Sequence, residues 1–542
     1  MTKTKITFLG GLDRIGKNMF VAESHDSAVI VDCGMAFPDD EMYGVSTVIP
    51  SFEYIRKIKP KVKAVFLTHG HEDHIGALGY LYREFNFPLY ATSLTLALAD
   101  SKFSGTQKKN LQTHAAVPAQ VYEFGDIKIE PFAVCHSIPE SLGLIIETPD
   151  ARIVHTGDFK LDPKPLDGRL TDLRRLRSLG NVDLLLCDST NADQEGWTVS
   201  ENDVAKTFDK LFQKISGRIV IASFSSNILR MQHVLNVAQK YGRRVAILGR
   251  SMENNFKIAR DSGYITCPEN TVAAIEQMHS LPENKVVVLT TGSQGERMSA
   301  LTQMAGRRYD KMRLKKEDTV IISASPIPGN EKDINETINN LYRIGVRVLY
   351  DQVKEIHASG HACAEEIKEL IKAVKPRFFA PVHGEYKHLY SNILNGQKVG
   401  LRRNNSFLLQ NGDQLEIGKN FCKITGHVYA EPVLLDGNYG ADPRETVFHE
   451  RHQLSRGGVA LVTCALSKGS LVCEPLITGS GFLYRKEKEQ FLPLMQERVG
   501  EILREAKGDQ RAKEQKLTKE LEKFTYEKLR RRTTVFVNII DL

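Results

Sequence analysis

Residues 64–78 read AVFLTHGHEDHIGAL, and this stretch decides the fold. An apolar run, Ala64 to Leu67, stops at Thr68, and His69, His71, Asp73 and His74 then fall within six positions, spaced by Gly70 and followed by Gly76. The run predicts a buried strand, and the small and polar residues after it a tight loop leading into a helix. Such a loop can aim three imidazoles and a carboxylate at one point, and these are the usual ligands of zinc and its first-row neighbours. The alternative is a polar loop that happens to be rich in histidine. With sixteen histidines in 542 residues, three within six positions beside an aspartate are a poor fit to accident.

Length and composition bound the rest. A chain of 542 residues suggests about three or four units at roughly 100–200 residues each. Apolar residues at 41% and charged ones at 26% describe a globular protein with ample core. The start, MTKTKITFLGG, lacks the apolar region of a signal peptide, and no apolar run is long enough to span a bilayer. The eight cysteines are scattered without a C-x-x-C pair, which fits a reducing, cytoplasmic setting and not a disulfide framework. A net charge of +7 permits an anionic partner without requiring one.

Further ligand candidates recur at the ends of apolar runs. Asp32 closes AVIVD, where it either orients a ligand in the next loop or is a plain turn residue. His136 closes PFAVCH, Asp158 follows RIVHTG, and Asp188 ends LLLCD. From 201 to 350 strand-like and helix-like segments alternate, which predicts a parallel α/β domain. Its strands end in SFSSN, GRSMEN, TGSQGE and SASPIPGN, loops that lie at the ligand-binding edge of an open sheet. Ser223, Ser225, Ser226, Ser293, Ser323 and Ser325 there suit phosphate oxygens, or equally ordinary turns. HASGHAC, with His357 and His361, then precedes a helix, and RFFAPVHGE places His383 after another apolar strand.

The series HGHEDH, His136, Asp158, CDST, an inserted domain, HASGH and PVHGE resembles the β-CASP group of metallo-β-lactamase nucleases. Within that group GGLDRIGKNM, CHSIPES, SFSSNILRMQ, GRSM, TGSQGE and SASPIPGNE are similar to the bacterial ribonuclease J family, from residue 7 to about 390. The resemblance implies an αββα metallo-β-lactamase sandwich with an inserted β-CASP α/β domain and a small C-terminal α/β domain. The boundaries expected are 1–200 and 351–425 for the two parts of the sandwich, 201–350 for the insert, 426–455 for a linker and 456–542 for the last domain. It implies one cation held by His69, His71 and His136, a second by Asp73, His74 and His383, and Asp158 between them. Zn2+ is the first expectation for these two divalent ions and Mn2+ the alternative. Asp188 and His361 are expected in proton transfer, with Asp73 setting the metals; His357, Ala358, Ser359, Gly360, His361 and Ser225 are expected around a substrate phosphate.

The resemblance also implies a 5′-to-3′ exoribonuclease with endonuclease capacity, acting on single-stranded RNA with a 5′-monophosphate end in rRNA maturation and mRNA decay. Assembly as a homodimer or homotetramer, and partners in RNA decay or on the ribosome, belong to the same expectation. Three rivals remain at this stage. They are a nuclease of the same scaffold acting on DNA or on RNA 3′ ends, a non-catalytic RNA-binding subunit, and a small-molecule esterase. The intact ligand set argues against the second, and the bulk of the insert against the third.

Overall fold

The computed structural model describes residues 4–39, 41–327, 329–350, 355–418, 421–437 and 439–542. The boundary expected at 350/351 abuts residues 351–354, outside the described residues. The chain forms two compact units, Met1–Ala36 with Val48–Pro432, and Phe37–Thr47 with Val433–Leu542.

Two sheets face each other in the first unit. The larger runs Phe421–His427, Asp413–Gly418, Thr4–Gly10, Met19–Ser24, Ser27–Val31, Val62–Phe66, Leu89–Ala91 and Thr113–Ala115. The other runs Phe378–Val382, Leu184–Asp188, Arg152–His155, Leu142–Glu147, Ile127–Ala133 and Tyr122–Phe124. Ile6, Val31 and Phe66 of one sheet share a core with Ile129, Leu144, Ile153, Leu186 and Ala380 of the other. On the second sheet's opposite face Ile145, Val154, Leu185 and Phe379 lie in a core with Leu176, Ile367 and Leu370, from helices Leu173–Ser178 and Ala364–Val374. These strands are buried on both faces, which explains their unbroken apolar sequences.

Chain that follows the insert completes both sheets. Phe378–Val382 lies parallel to Leu184–Asp188, with Val382 opposite Asp188, and Asp413–Gly418 pairs antiparallel with Thr4–Gly10.

The chain between Leu184–Asp188 and Phe378–Val382 forms a separate, wholly parallel sheet, in the order Arg244–Leu248, Val286–Thr290, Ile219–Ala222, Thr319–Ile322 and Arg347–Leu349. Its helices are amphipathic. In Glu331–Ile344 the buried residues Ile334, Thr337, Ile338 and Leu341 recur at spacings of three and four. That helix stops at Gly345, whose φ of +91° ends it in the left-handed region.

In the second unit, Val459–Ser467 is flanked by Leu476–Ser480 on one side and by the parallel last strand Thr534–Asp541 on the other. Helices Arg485–Glu505 and Gln510–Leu529 contribute Phe491, Met495, Leu517 and Leu521 to a core with Ala460, Val462 and Val535. Residues 426–455, read above as a linker, differ from that reading. They contain the paired strands Val433–Asp436 and Tyr439–Ala441 and a helix, Thr446–Gly457. Strands of three or four residues offer too few alternations to register as a period. Among the described residues no helix is long and apolar enough to cross a membrane.

Candidate metal centre and active site

Every candidate ligand leaves the end of a strand of the sandwich. His69 and His71 follow Val62–Phe66, and the short helix Glu72–Ile75 carries Asp73 and His74. His136 follows Ile127–Ala133, Asp158 follows Arg152–His155, and His383 follows Phe378–Val382. The turn before Asp158 depends on Gly157, at φ +57°, where a Cβ would lie 2.3 Å from the Leu142 carbonyl oxygen.

Ligand atoms converge in three overlapping groups, of which two match the expected cation sites and the third joins Asp158, Asp188, His361 and His383. In the first, His71 Nδ1 lies 3.0 Å from His69 Nε2 and 3.1 Å from His136 Nε2. Asp158 Oδ2 lies 3.4 Å from His69 Nε2 and 3.8 Å from His136 Nε2. In the second, His383 Nε2 is 3.1 Å from Asp73 Oδ2 and 3.6 Å from Asp158 Oδ2, and His74 Nε2 is 3.6 and 3.3 Å from the same two atoms. Donors about 2.1 Å from a tetrahedral ion are about 3.4 Å from one another, so both groups fit a first-row divalent cation. Asp158 Oδ2 belongs to both.

Groups behind the ligands fix which nitrogen faces inward. Asp32 accepts from the Thr68 backbone N–H at 2.8 Å and from its hydroxyl at 2.9 Å, and His74 Nδ1 lies 2.8 Å from Asp32 Oδ2. Asp32 therefore orients a ligand. The Thr68 hydroxyl, which donates to Asp32, is 3.0 Å from His69 Nδ1 and accepts from it. The Thr190 hydroxyl does the same for His383: it donates to Asp188 Oδ1 at 2.9 Å and lies 2.6 Å from His383 Nδ1. His136 Nδ1 donates to the Gly360 carbonyl at 2.7 Å. Each bond turns Nε2 of His69, His74, His136 and His383 toward the ligand cluster; the carboxylates around His74 and His383 favour a proton on those two rings, which a cation would displace. None of Thr68, Thr190 and the Gly360 carbonyl was singled out from sequence.

Of the remaining expected residues, His361 comes within 4.0 Å of Asp158, from Nε2 to Oδ2, and its Nδ1 is 2.8 Å from Asp188 Oδ2. Ser359 Oγ accepts from Asn191 Nδ2 at 2.8 Å and from the His361 N–H at 3.2 Å, so its own hydrogen is free to donate. Glu366 secures the far end of this segment, accepting from the Leu161, Thr198 and Cys363 amides. Ala358 and His357 lie deeper; Ala358 is buried, and the His357 ring is 6.3 Å from that of Phe224. Ser225, next in the SFSSN loop, bonds through its carbonyl to Asn255 at 2.9 Å.

Gly360 is set close to His136. A Cβ on it would lie 2.5 Å from His136 Cε1 and 2.6 Å from Nδ1. Gly360→Ala is therefore expected to push His136 off its ligand position and weaken cation binding by about 10–100-fold, the usual scale for disturbing a ligand's outer partner. Metal titration of the purified variant checks this; unchanged affinity would mean that the ring moves freely.

Charge complements the geometry. Burial holds His69 and His136 well below the ordinary imidazole range, and His71 at about 4, so these rings are neutral as a cation requires. Burial also disfavours a charged Asp158, but His383, His74 and His69 outweigh it and hold the carboxyl well below its usual range. Against burial, Asp158 and Asp73 push His383 up to about 9. Burial opposes protonation of His361 too, and Asp188 overrides it to raise the ring above its ordinary value.

Fold and site together define a metallo-hydrolase of the metallo-β-lactamase superfamily with a β-CASP insertion. The superfamily model matches residues 12–200, the ribonuclease J β-CASP domain 216–341, the RNA specificity domain of Zn-dependent metallo-hydrolases 345–391, and the ribonuclease J C-terminal domain 446–542. Ribonuclease J 1 of Streptococcus pyogenes is 37% identical, covering 98% of this chain and 96% of its own length. Ribonuclease J2 of Bacillus subtilis is 34% identical over 99% of this chain and 98% of its own, and ribonuclease J of Helicobacter pylori 40% identical over 86% and 68%. A crystal structure of an Enterococcus faecalis protein of unknown function shares the fold, with a TM-score of 0.55 and 18% identity over 77% of this chain and all of that one. The chain belongs to the ribonuclease J family, and is a metal-dependent nuclease that acts on RNA.

Proposed function

We propose that this nuclease is a 5′-to-3′ exoribonuclease with endonuclease capacity, acting on single-stranded RNA in rRNA maturation and mRNA decay with two divalent cations, Zn2+ or alternatively Mn2+. The observation that supports two cations is the single oxygen, Asp158 Oδ2, within 3.3–3.8 Å of His69, His74, His136 and His383. Bound there, such cations supply Lewis-acid charge to a phosphodiester and lower the pKa of the attacking water. The chain supplies the proton traffic. Asp188 accepts from His361 Nδ1, which fixes the ring and leaves Nε2 facing the bridging carboxylate, where it can protonate the departing oxygen.

Ser359, whose hydrogen is free, and His361 form the wall of a pocket for the terminal phosphate, with His357 and Ala358 behind them and Ser225 on the inserted side. Such a pocket holds a monophosphate and rejects the bulk of a triphosphate. RNA labelled at its 5′ end should release labelled mononucleotide at once, and 3′-labelled RNA should shorten gradually, both faster from a monophosphate than from a triphosphate. Mononucleotide released first from the 3′ end would overturn the polarity. The same reading carries a homodimeric or homotetrameric cytoplasmic protein, tested by light scattering and fractionation.

A further inference from the structure

One buried guanidinium carries the inserted domain's grip on the HASGH segment. Arg230, on helix Ile228–Lys240, is fully buried, as is its partner Glu201. Its Nη2 lies 3.1 Å from each Glu201 carboxylate oxygen, and its Nε 3.3 Å from Oε2. Nη1 turns the other way and donates to the Ile356 carbonyl at 3.1 Å and to the Ser323 hydroxyl, which donates to the same carbonyl at 2.6 Å. Ile356 is the residue immediately before His357. Glu201 is tied in turn to the segment following Asp158, because Asp162 accepts from the Glu201 amide at 3.0 Å and from the Ser200 hydroxyl at 2.8 Å. The guanidinium thus joins the catalytic domain, a strand end of the insert and the entry to HASGH.

Stability alone is a weak reason for this arrangement. Two charges taken fully out of water cost several kcal/mol each, and apolar residues of like volume often replace such pairs with no loss. The surroundings add to the cost, since Ser223 Oγ, His233 Nε2 and His357 Nδ1 are buried with no hydrogen-bond partner among the described residues, and Lys160 Nζ has only Asp162 at 3.7 Å. The pair does what apolar side chains cannot do, which is to hold a carboxylate and a carbonyl at a fixed separation through one planar fork.

We infer that Arg230, anchored by Glu201, is a positioning residue for RNA cleavage: it sets where the HASGH segment begins, and hence where Ser359 and His361 stand. The inference rests on the role given to His361 above. It makes the inserted domain a determinant of the geometry of the proton donor.

The test replaces both charges together, as Arg230→Met with Glu201→Met, and separately makes Arg230→Lys, whose compact ammonium cannot serve Glu201 and Ile356 at once. Both variants should melt like the parent and keep its metal content. Turnover of 5′-monophosphate RNA should fall at least tenfold with KM little changed. Placed in an His361→Ala background, the Arg230 substitutions should cost less than a further twofold. Normal turnover in a double variant that melts like the parent would overturn the inference, as would losses that multiply in full with His361→Ala. Should the double variant fail to fold, normal turnover by Arg230→Lys overturns it and a tenfold loss sustains it. A parent that leaves RNA intact would overturn the functional reading and this inference with it. An active parent with indifferent variants would overturn this inference alone.

Discussion

Asp158→Asn should lose both cations and cut RNA turnover by on the order of 10³-fold or more. Its Oδ2 is the one ligand atom shared by the two groups. An amide at that position removes the negative charge that both sets of imidazoles face. Lewis-acid charge contributes several kcal/mol to such a reaction, and each 1.36 kcal/mol is a factor of ten. His383→Ala is the informative contrast, because His383 is absent from the His69–His71–His136–Asp158 group and its loss should leave that site loaded. Elemental analysis of the purified variants distinguishes the two. Full metal content in Asp158→Asn would show that its carboxylate is not the bridge.

His361→Ala should lower turnover by roughly 10²-fold or more while both cations stay bound. The ring lies 4.0 Å from the bridging oxygen and is held through its other nitrogen by Asp188 at 2.8 Å, so it faces the reacting region without completing either group of cation ligands. Chemistry, and not cation affinity, should suffer. Single-turnover cleavage measured beside metal content checks both halves. A variant that lost its metals would show His361 to be misassigned as a proton donor and would point to it as a cation ligand beside Asp158, Asp188 and His383.

Sequence reading reached some parts of this site and not others, for physical reasons. His69, His71, His136, Asp158 and His383 stood out because each follows an apolar strand run among small residues, and Asp73 and His74 because they crowd beside the first two; strand ends are where this architecture gathers its ligands. Asp32 was balanced between a ligand orienter and a turn residue, and only the 2.8 Å approach to His74 decides it. Thr190 stood inside CDST without a role of its own: threonine after a strand is commonplace, and its partner His383 is 193 residues away. The Gly360 carbonyl is backbone, which sequence does not display. Gly360 was expected to let the chain approach a phosphate, whereas the close approach in the structure is to His136. Arg230 and Glu201 were not singled out, since full burial of charge is a tertiary fact.

The order in which the strands are made has a consequence for the cell that makes them. The centre is incomplete until His383 has been synthesised, and the larger sheet until Asp413–Gly418 returns to Thr4–Gly10. At 5–20 residues per second the ribosome spends roughly 10–45 s between Asp158 and His383. Throughout that interval the second cation group lacks a ligand, and the proton donor's supports are being built or are not yet in place. On the two-cation reading, a nascent chain of this enzyme is expected to leave RNA intact beside the message from which it is being read. Its competence to cut RNA is expected to begin only once Phe378–Val382 and His383 have joined Leu184–Asp188.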